Sequence, residues 1–303
     1  MRLVTFIGPD ETPAGPATRQ RTGVVVGDEV VDLTDLGLPG DMAALLALGD
    51  DAMARASSAR STGGRRWGLE EIELCAPVTL PPKILAIGMN YRAHVAEMGH
   101  ESSAHQYWFN KQRTCVTGPE QPIVIPAVSE QLDYEGELGI VIGRRAKSVP
   151  AKRWLDVVAG FTVVNDVSVR DWQWHSPTFT MGKSFDTHCP MGPWIVTPDE
   201  VGDVGSLSLR TWVNGELRQD ASTADLIFKP AEMIEYLTTA FPLEPGDVLA
   251  TGTPSGVAAG MTPPRWLREG DTVRIEVEGI GMLENPVVAE RQPAPAPDPV
   301  VGA

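Results

Sequence analysis

The sequence predicts a mostly β, mixed α+β protein with a small module at its N-terminus. Three observations predict it. Strand-length apolar runs outnumber helical ones, Gly-Asp and Asn-Gly turn dipeptides separate them, and a proline-containing stretch follows the first quarter of the chain. At 303 residues the chain is long enough for one large domain and a small one.

Residues 1–75 read as the small α+β module. "RLVTFI" and "RTGVVVGDEVVDL" are short strands, the second pair turned at Gly27-Asp28, and "DMAALLALGDDAMARASSA" carries Ala, Leu and Met at helical spacing. Residues 76–82, in "CAPVTLPPK", are expected to be a linker, because prolines suit neither a helix interior nor a central strand. From 83 to 290 strand signals dominate: "KILAIGMNY", "QPIVIP", "DYEGELGIVIG" and "VVAGFTVVNDVSV". "SLSLRTWVNGELRQD" is a hairpin turned at Asn214-Gly215. "KPAEMIEYLTTAF" is a helix with Pro230 in its first turn, and "GDVLATGTP" and "GDTVRIEVEGIGMLENPVV" return to strand. The Pro/Ala-rich end, 291–303, is expected to be a disordered tail.

Composition narrows the function classes. Hydrophobic residues make up 42% of the chain, as in a soluble globular protein, and the formal charge is −15. Nucleic acids and anionic membranes attract basic surfaces, so neither is expected as a partner. An anionic substrate stays open, because a local cation can reverse the field inside a cleft. The three cysteines, Cys75, Cys115 and Cys189, form no C-x-x-C pair, so neither a disulfide framework nor a structural zinc site is indicated. The start carries no signal-peptide pattern and no apolar run reaches membrane-spanning length; the expected location is cytoplasmic. No phosphate-binding glycine loop of either common type is present.

The run "LDYEGELGIVIG", residues 132–143, raises the central question. Side chains two apart on a strand share a face, so Asp133, Glu135 and Glu137 would crowd one strip of sheet with like charge. Such a strip either faces water on an edge strand or is neutralised by a divalent cation. Oxygen ligands suit a hard ion, Mg2+ or Ca2+, with Mn2+ also open. Two neighbours favour the cation. Gly136 would leave the opposite face open, and a further acid, Asp166, ends the apolar run "FTVVNDV". Glu135, Glu137 and Asp166 presented to one point would make a three-carboxylate metal site. Lys183, in "TFTMGKSFDTHCPMGPW", would then supply compensating charge or a hydrogen bond to a substrate oxygen; alone it also reads as a surface lysine.

In "GMNYRAHVAEMG", residues 88–99, His94 and Glu97 are three apart and share a helix face. A histidine oriented by a carboxylate suits general-base work near neutral pH, though an exposed ion pair has the same spacing. Aromatics cluster in "QYWFN" (Tyr107, Trp108, Phe109) and "WQWH" (Trp172, Trp174, His175). They read either as core or interface packing or as the walls of an apolar pocket. His175 and His188 lack a metal spacing, and Cys189 lacks a base partner.

Together the motifs resemble the fumarylacetoacetate hydrolase family over about residues 80–288. The resemblance rests on "GMNYRAHVAEMG", "DYEGELGIVIG", "VVNDVSVRDWQ", "GKSFDTHCPMGPWIV", "VNGELRQ" and "PGDVLATGTPSGV", in that order. It is highly specific for the fold and much less so for the substrate. It implies a β-sandwich or β-roll core around Mg2+ or Mn2+, usually in a homodimer. Glu135, Glu137 and Asp166 match the metal-binding acids, and Lys183 the active-site lysine. His94 and Glu97 match a dyad on a lid segment. Thr253, in "TGTPSG", matches a residue that tends to hold the substrate carboxylate, with Gln173 and Arg92 as further substrate contacts.

The activity this implies is metal-dependent hydrolysis of a C–C bond in a small 2-oxo acid. The substrate would be a 2,4-dioxo acid of the acylpyruvate type, cleaved through a metal-bound enolate. An oxaloacetate-type decarboxylase, or a 2-hydroxydienoate isomerase or tautomerase, would use the same site. A non-catalytic, metal-stabilised binding scaffold is the alternative of another class. Its mark would be a missing ligand or lysine, and none is missing.

Overall fold

The structure is a computed structural model that describes residues 1–9 and 20–291. Apart from Arg291, the expected disordered tail lies outside the described residues.

The chain opens with β1 (Arg2–Ile7), β2 (Arg21–Val26) and β3 (Glu29–Asp32). Helices α1 (Met42–Ala47) and α2 (Asp50–Thr62) and strands β4 (Arg66–Gly68) and β5 (Glu73–Leu74) follow. The β2–β3 hairpin turns at Gly27-Asp28 as the dipeptide predicts. The helical run expected as one helix is two. Gly49, at φ 75°, takes a left-handed conformation that a continuous helix does not contain, and the chain restarts behind it.

Next come β6 (Ile84–Gly88), α3 (Arg92–Glu97), β7 (Tyr107–Lys111), β8 (Val116–Thr117), β9 (Ile123–Ile125) and β10 (Leu132–Asp133). Then follow β11 (Gly136–Ile142), β12 (Val158–Asn165), β13 (Ser168–Val169), α4 (Arg170–Gln173), β14 (Cys189–Val196) and α5 (Pro198–Val201). The last part holds β15 (Ser208–Val213), β16 (Glu216–Ser222), α6 (Pro230–Ala240), β17 (Val248–Ala250), β18 (Thr272–Val277) and β19 (Gly281–Ala289). Asn214-Gly215 turns β15 into β16, and α6 begins at Pro230, both as predicted.

Strands predominate, in a mixed α+β fold of two main sheets. The larger runs β4-β3-β2-β1-β14-β12-β11-β17-β6-β7, with β5 beside β1 and β8 beside β14. The N-terminal strands enter it through β1 against β14. The second runs β16-β15-β18-β19-β9. β11 is buried along its whole length, whereas β18 alternates, with Val273, Ile275 and Val277 inward and Arg274 and Glu276 outward. The core between the sheets includes Leu138, Ile140, Phe161 and Val163, with Leu209, Ile275 and Leu283 from the second sheet. Each such side chain stabilises the fold by about 1.5–3 kcal/mol.

The second sheet packs directly behind the glutamates. A Cβ at Gly136 would lie 2.3 Å from Thr211 Oγ1. The opposite face is therefore filled by the second sheet, not open as the sequence suggested, and close approach of the backbones requires glycine there.

Candidate metal centre and active site

"DYEGEL" is not one continuous strand, since β10 ends at Asp133 and β11 begins at Gly136. The break is held from across the sheet. The Glu135 amide donates to Asn165 Oδ1 at 3.0 Å, and the Asp166 amide donates to the Glu135 carbonyl at 2.9 Å. Gly136 pairs with Asn165. This register brings both glutamates beside Asp166. Oxygens from Glu135, Glu137 and Asp166 lie within 4.8 Å of one another, and all three residues are buried. No other group of three or more potential ligands converges among the described residues.

Asp133 faces elsewhere. Its Oδ1 accepts from the Tyr134 and Ala258 amides at 2.9 and 2.8 Å. Its Oδ2 accepts from the Ala259 amide at 3.0 Å and from Arg170 Nε at 2.8 Å. Four donors occupy the accepting capacity of the carboxylate, so Asp133 anchors structure rather than joining the triad.

Three cations surround the acids. Lys183 Nζ donates to Glu135 at 2.7 Å and to Asp166 at 2.8 Å. The Arg170 guanidinium is 2.6 Å from Glu135, and Lys111 Nζ is 2.6 Å from Asp166. Burial pushes the Glu135 carboxyl up, but Lys183, Arg170 and His94 outweigh it and hold it at about 2. Glu137 has no such neighbour in contact; its Oε2 accepts from the Gly252 amide at 2.7 Å. Burial, then Asp166 and Glu135, push it well above the usual carboxylate range. Sequence reasoning assigned no role to Lys111 or Arg170. A signal existed for the first: Lys111 shares strand parity with Tyr107 and Phe109, which places a lysine on an inward aromatic face.

His94 and Glu97 form a pair in the same cleft. His94 is 6% exposed, with Nδ1 at 3.1 Å from Glu97 Oε2, while Glu97 Oε1 accepts from the Gly256 amide at 2.9 Å. In the tautomer whose Nδ1 donates to Glu97, Nε2 is left as the accepting nitrogen. Thr253 lines the cleft, its hydroxyl donating to the Gly136 carbonyl at 3.1 Å and accepting from Gln219 at 2.8 Å. Gln173 also lines it and accepts from Arg170 at 2.9 Å. Arg92 is not brought to the cleft, contrary to its expected substrate contact. It is exposed and donates to the Asp225 carbonyl at 3.2 Å. Two helical residues apart is about 200° of rotation, so with His94 inward Arg92 points outward.

The cleft holds about 280 Å³, small beside the ~300–1,000 Å³ of drug-sized ligand sites. The aromatics divide between the cleft and the core, by strand parity only within β7. Tyr107 and Phe109 line the cleft, together with Trp174 and Phe179, while Trp108 and Trp172 pack on the core.

Residues 83–288 match the family described as fumarylacetoacetate (FAA) hydrolase C-terminal. The chain belongs to the fumarylacetoacetate hydrolase family. A mitochondrial oxaloacetate tautomerase of Xenopus laevis is 39% identical over 292 residues, 95% of this chain and 90% of that protein. An oxaloacetate tautomerase of Bacillus subtilis is 39% identical, over 89% of this chain and 96% of its own. A solved maleylpyruvate hydrolase from Sphingobium sp. SYK-6, in complex with manganese(II) and pyruvate, shares 34% identity and a TM-score of 0.80, over 96% of this chain and 100% of that one. The chain is thus an enzyme of a family that includes hydrolases and tautomerases.

The donor set fits a divalent metal. It consists of carboxylate oxygens, the ligands of hard cations. Asp133, Glu135, Glu137 and Asp166 face Lys111, Arg170 and Lys183, so the buried cluster carries more acids than bases. The uncompensated acid is Glu137, and a dication among the three oxygens would relieve its cost.

Proposed function

We propose that this enzyme is a divalent-metal-dependent hydrolase of a 2,4-dioxo acid of the acylpyruvate type. The observation that carries the reading is the buried His94–Glu97 pair, in one cleft with Glu135, Glu137, Asp166 and Lys183. Those three acids would hold Mg2+ or Mn2+, which supplies Lewis-acid polarisation of the substrate's keto group when bound. Glu97, anchored by Gly256, orients His94. His94 Nε2 takes a proton from water as the water oxygen adds to the C4 carbonyl. The C3–C4 bond then breaks, releasing a carboxylic acid and the enolate of pyruvate, and His94 returns its proton to C3. Lys183 donates to substrate oxygens as negative charge develops. Thr253 reaches a substrate carboxylate by exchanging its bond to Gly136, and Gln173 offers an amide nearby. Pyruvate, the product of this cleavage, accompanies manganese(II) in the similar maleylpyruvate hydrolase.

A second reading is keto–enol tautomerisation of oxaloacetate, favoured by the name shared by two relatives that match nearly their full length. There His94 would move one proton between C3 and the keto oxygen, and no water would attack. The test is turnover of acetylpyruvate and of enol-oxaloacetate with Mg2+, Mn2+ or EDTA. Metal-dependent release of acetate and pyruvate is expected. Enol conversion without cleavage would select the second reading, and a metal-loaded protein inert to both would refute each. The same proposal takes residues 83–290 as the catalytic unit, 1–75 as an accessory module, and the enzyme as a cytoplasmic homodimer without nucleic-acid or membrane partners. No helix among the described residues is long and apolar enough to cross a membrane.

A further inference from the structure

We infer that an aromatic subsite receives the far end of the substrate, with Trp174 and Phe179 as specificity-determining residues, and that the preferred 2-oxo acid carries an aryl group there. This rests on the reading that the acid end of the substrate lies at Glu135, Glu137 and Asp166.

Phe179 is the hub of the subsite. Its ring centroid lies 5.2 Å from Tyr107, 5.8 Å from Phe109 and 5.3 Å from Trp174, the last two edge-on. Edge and tilted arrangements are the favourable ones for aromatic pairs, so the rings hold one another in place. Phe179 also sits at φ 60°, a left-handed conformation that bulky side chains rarely adopt. The turn that imposes it is closed by the Phe179 amide to the Ser176 carbonyl at 3.2 Å and the Lys183 amide to the Phe179 carbonyl at 3.1 Å. One strained turn therefore delivers both the aromatic hub and Lys183 to the cleft, and strain of this kind gathers at functional sites. Trp174 stands at the mouth, 58% exposed, with one edge against Phe179. A large apolar ring is left there for a ligand to cover.

Charge points the same way. A substrate with a second carboxylate needs a free cation at its far end. Arg170 is engaged by Asp133 and Glu135, and Lys183 by Glu135 and Asp166. Of the two histidines lining the cleft, His94 is paired with Glu97, and His100 stands next to Glu101, which lines it too. A distal carboxylate would lose water against rings and beside another acid, which is unfavourable. An aryl group gains contact area and ring stacking instead.

The test uses metal-loaded enzyme and 2,4-dioxo acids that differ only in the group on C4: methyl, 2-carboxyethyl or phenyl. The phenyl compound is expected to have kcat/KM at least roughly tenfold above the other two. Trp174→Ala and Phe179→Leu are each expected to lower the phenyl-to-methyl ratio by about tenfold. A wild-type preference for methyl or carboxyethyl, or an unchanged ratio in both variants, overturns the inference while leaving the hydrolase reading intact. Equal loss on all substrates together with a changed mass in solution also overturns it, in favour of packing between copies of the chain. If none of the acids is turned over, the hydrolase reading has failed, and calorimetric titration still decides the subsite. Phenylpyruvate binding tighter than pyruvate, and weakened in Trp174→Ala, supports it; equal binding of the two acids sinks it.

Discussion

Replacing Asp133 by asparagine removes a charge at almost constant volume, so its effect isolates the anchoring bonds. The carboxylate is fully buried and accepts from Tyr134, Ala258, Ala259 and Arg170 at 2.8–3.0 Å. Asparagine keeps one accepting oxygen and turns an amide nitrogen toward the donors on the other side. One orientation strands Arg170 Nε and the Ala259 amide; the other strands the Tyr134 and Ala258 amides. Losing a charge-assisted bond costs about 1.5–3 kcal/mol, and each stranded buried donor adds about 1–3 kcal/mol. The expected loss is about 3–5 kcal/mol, the range for breaking a buried ion pair from one side. With an m-value of about 3 kcal/mol/M, the urea midpoint should fall by roughly 1 M or more at constant metal. Elemental analysis of the folded variant should still find metal, whereas Glu137→Gln should lose it. A midpoint unchanged within about 0.2 M, or a stable Asp133→Asn protein without metal, would refute the assignment of Asp133 as anchor and not ligand.

His94→Ala should cut kcat/KM for acylpyruvate cleavage by ~10²–10⁴, the usual contribution of a general base; a loss under threefold would remove His94 from the proton path. Chelation with EDTA should lower the melting temperature and Mn2+ should restore it, since a ligand at a hundred times its Kd stabilises by about 2.7 kcal/mol. A melting curve indifferent to both would mean that the triad holds no ion. His188 predicts part of the acid limb of stability. Burial lowers its imidazole from 6.5 to about 4; Nε2 donates to the Val124 carbonyl at 2.8 Å, and Nδ1 has no partner for a second hydrogen. Between those pH values the unfolded chain binds a proton that the folded chain refuses, so stability present above pH 6.5 is lost on acidification, by about 3 kcal/mol in all. His188→Gln keeps a donor for Val124 and should flatten that limb; denaturation curves that stay parallel to wild type from pH 7 to 4 would contradict this.

What the sequence made legible was local. Turn dipeptides located the hairpins at Gly27-Asp28 and Asn214-Gly215, and Pro230 located a helix start. The carboxylates that converge could be chosen because Asp166 interrupts an apolar run where a lone acid has no local partner. The failures have non-local or angular causes. The two-residue period groups Asp133 with the glutamates because it assumes an unbroken strand, and the break comes from Asn165 and from amides more than a hundred residues away. Gly136 looked like an opening because nothing local announces that Thr211 arrives behind it. Arg92 lies outside the cleft because helix geometry turns it away from the face that carries His94. Lys111 finds Asp166 55 residues later, a pairing that only the strand order of the large sheet creates.

The segment 251–260, "TGTPSGVAAG", has no charged side chain, yet it reaches three acids. The Gly252 amide meets Glu137, the Gly256 amide meets Glu97, and the Ala258 and Ala259 amides meet Asp133. Backbone donors fix a carboxylate in place without cancelling its charge, as a lysine or arginine would. The distribution of partners therefore has chemical meaning. Glu135 and Asp166 are met by side-chain cations; Glu137 is met only by an amide, which leaves its charge uncompensated and the gain from a cation greatest there. The same loop ties Glu97, and through it His94, to Glu137 and Asp133. Displacing the loop would therefore disturb the proton-transferring pair and the acidic triad together.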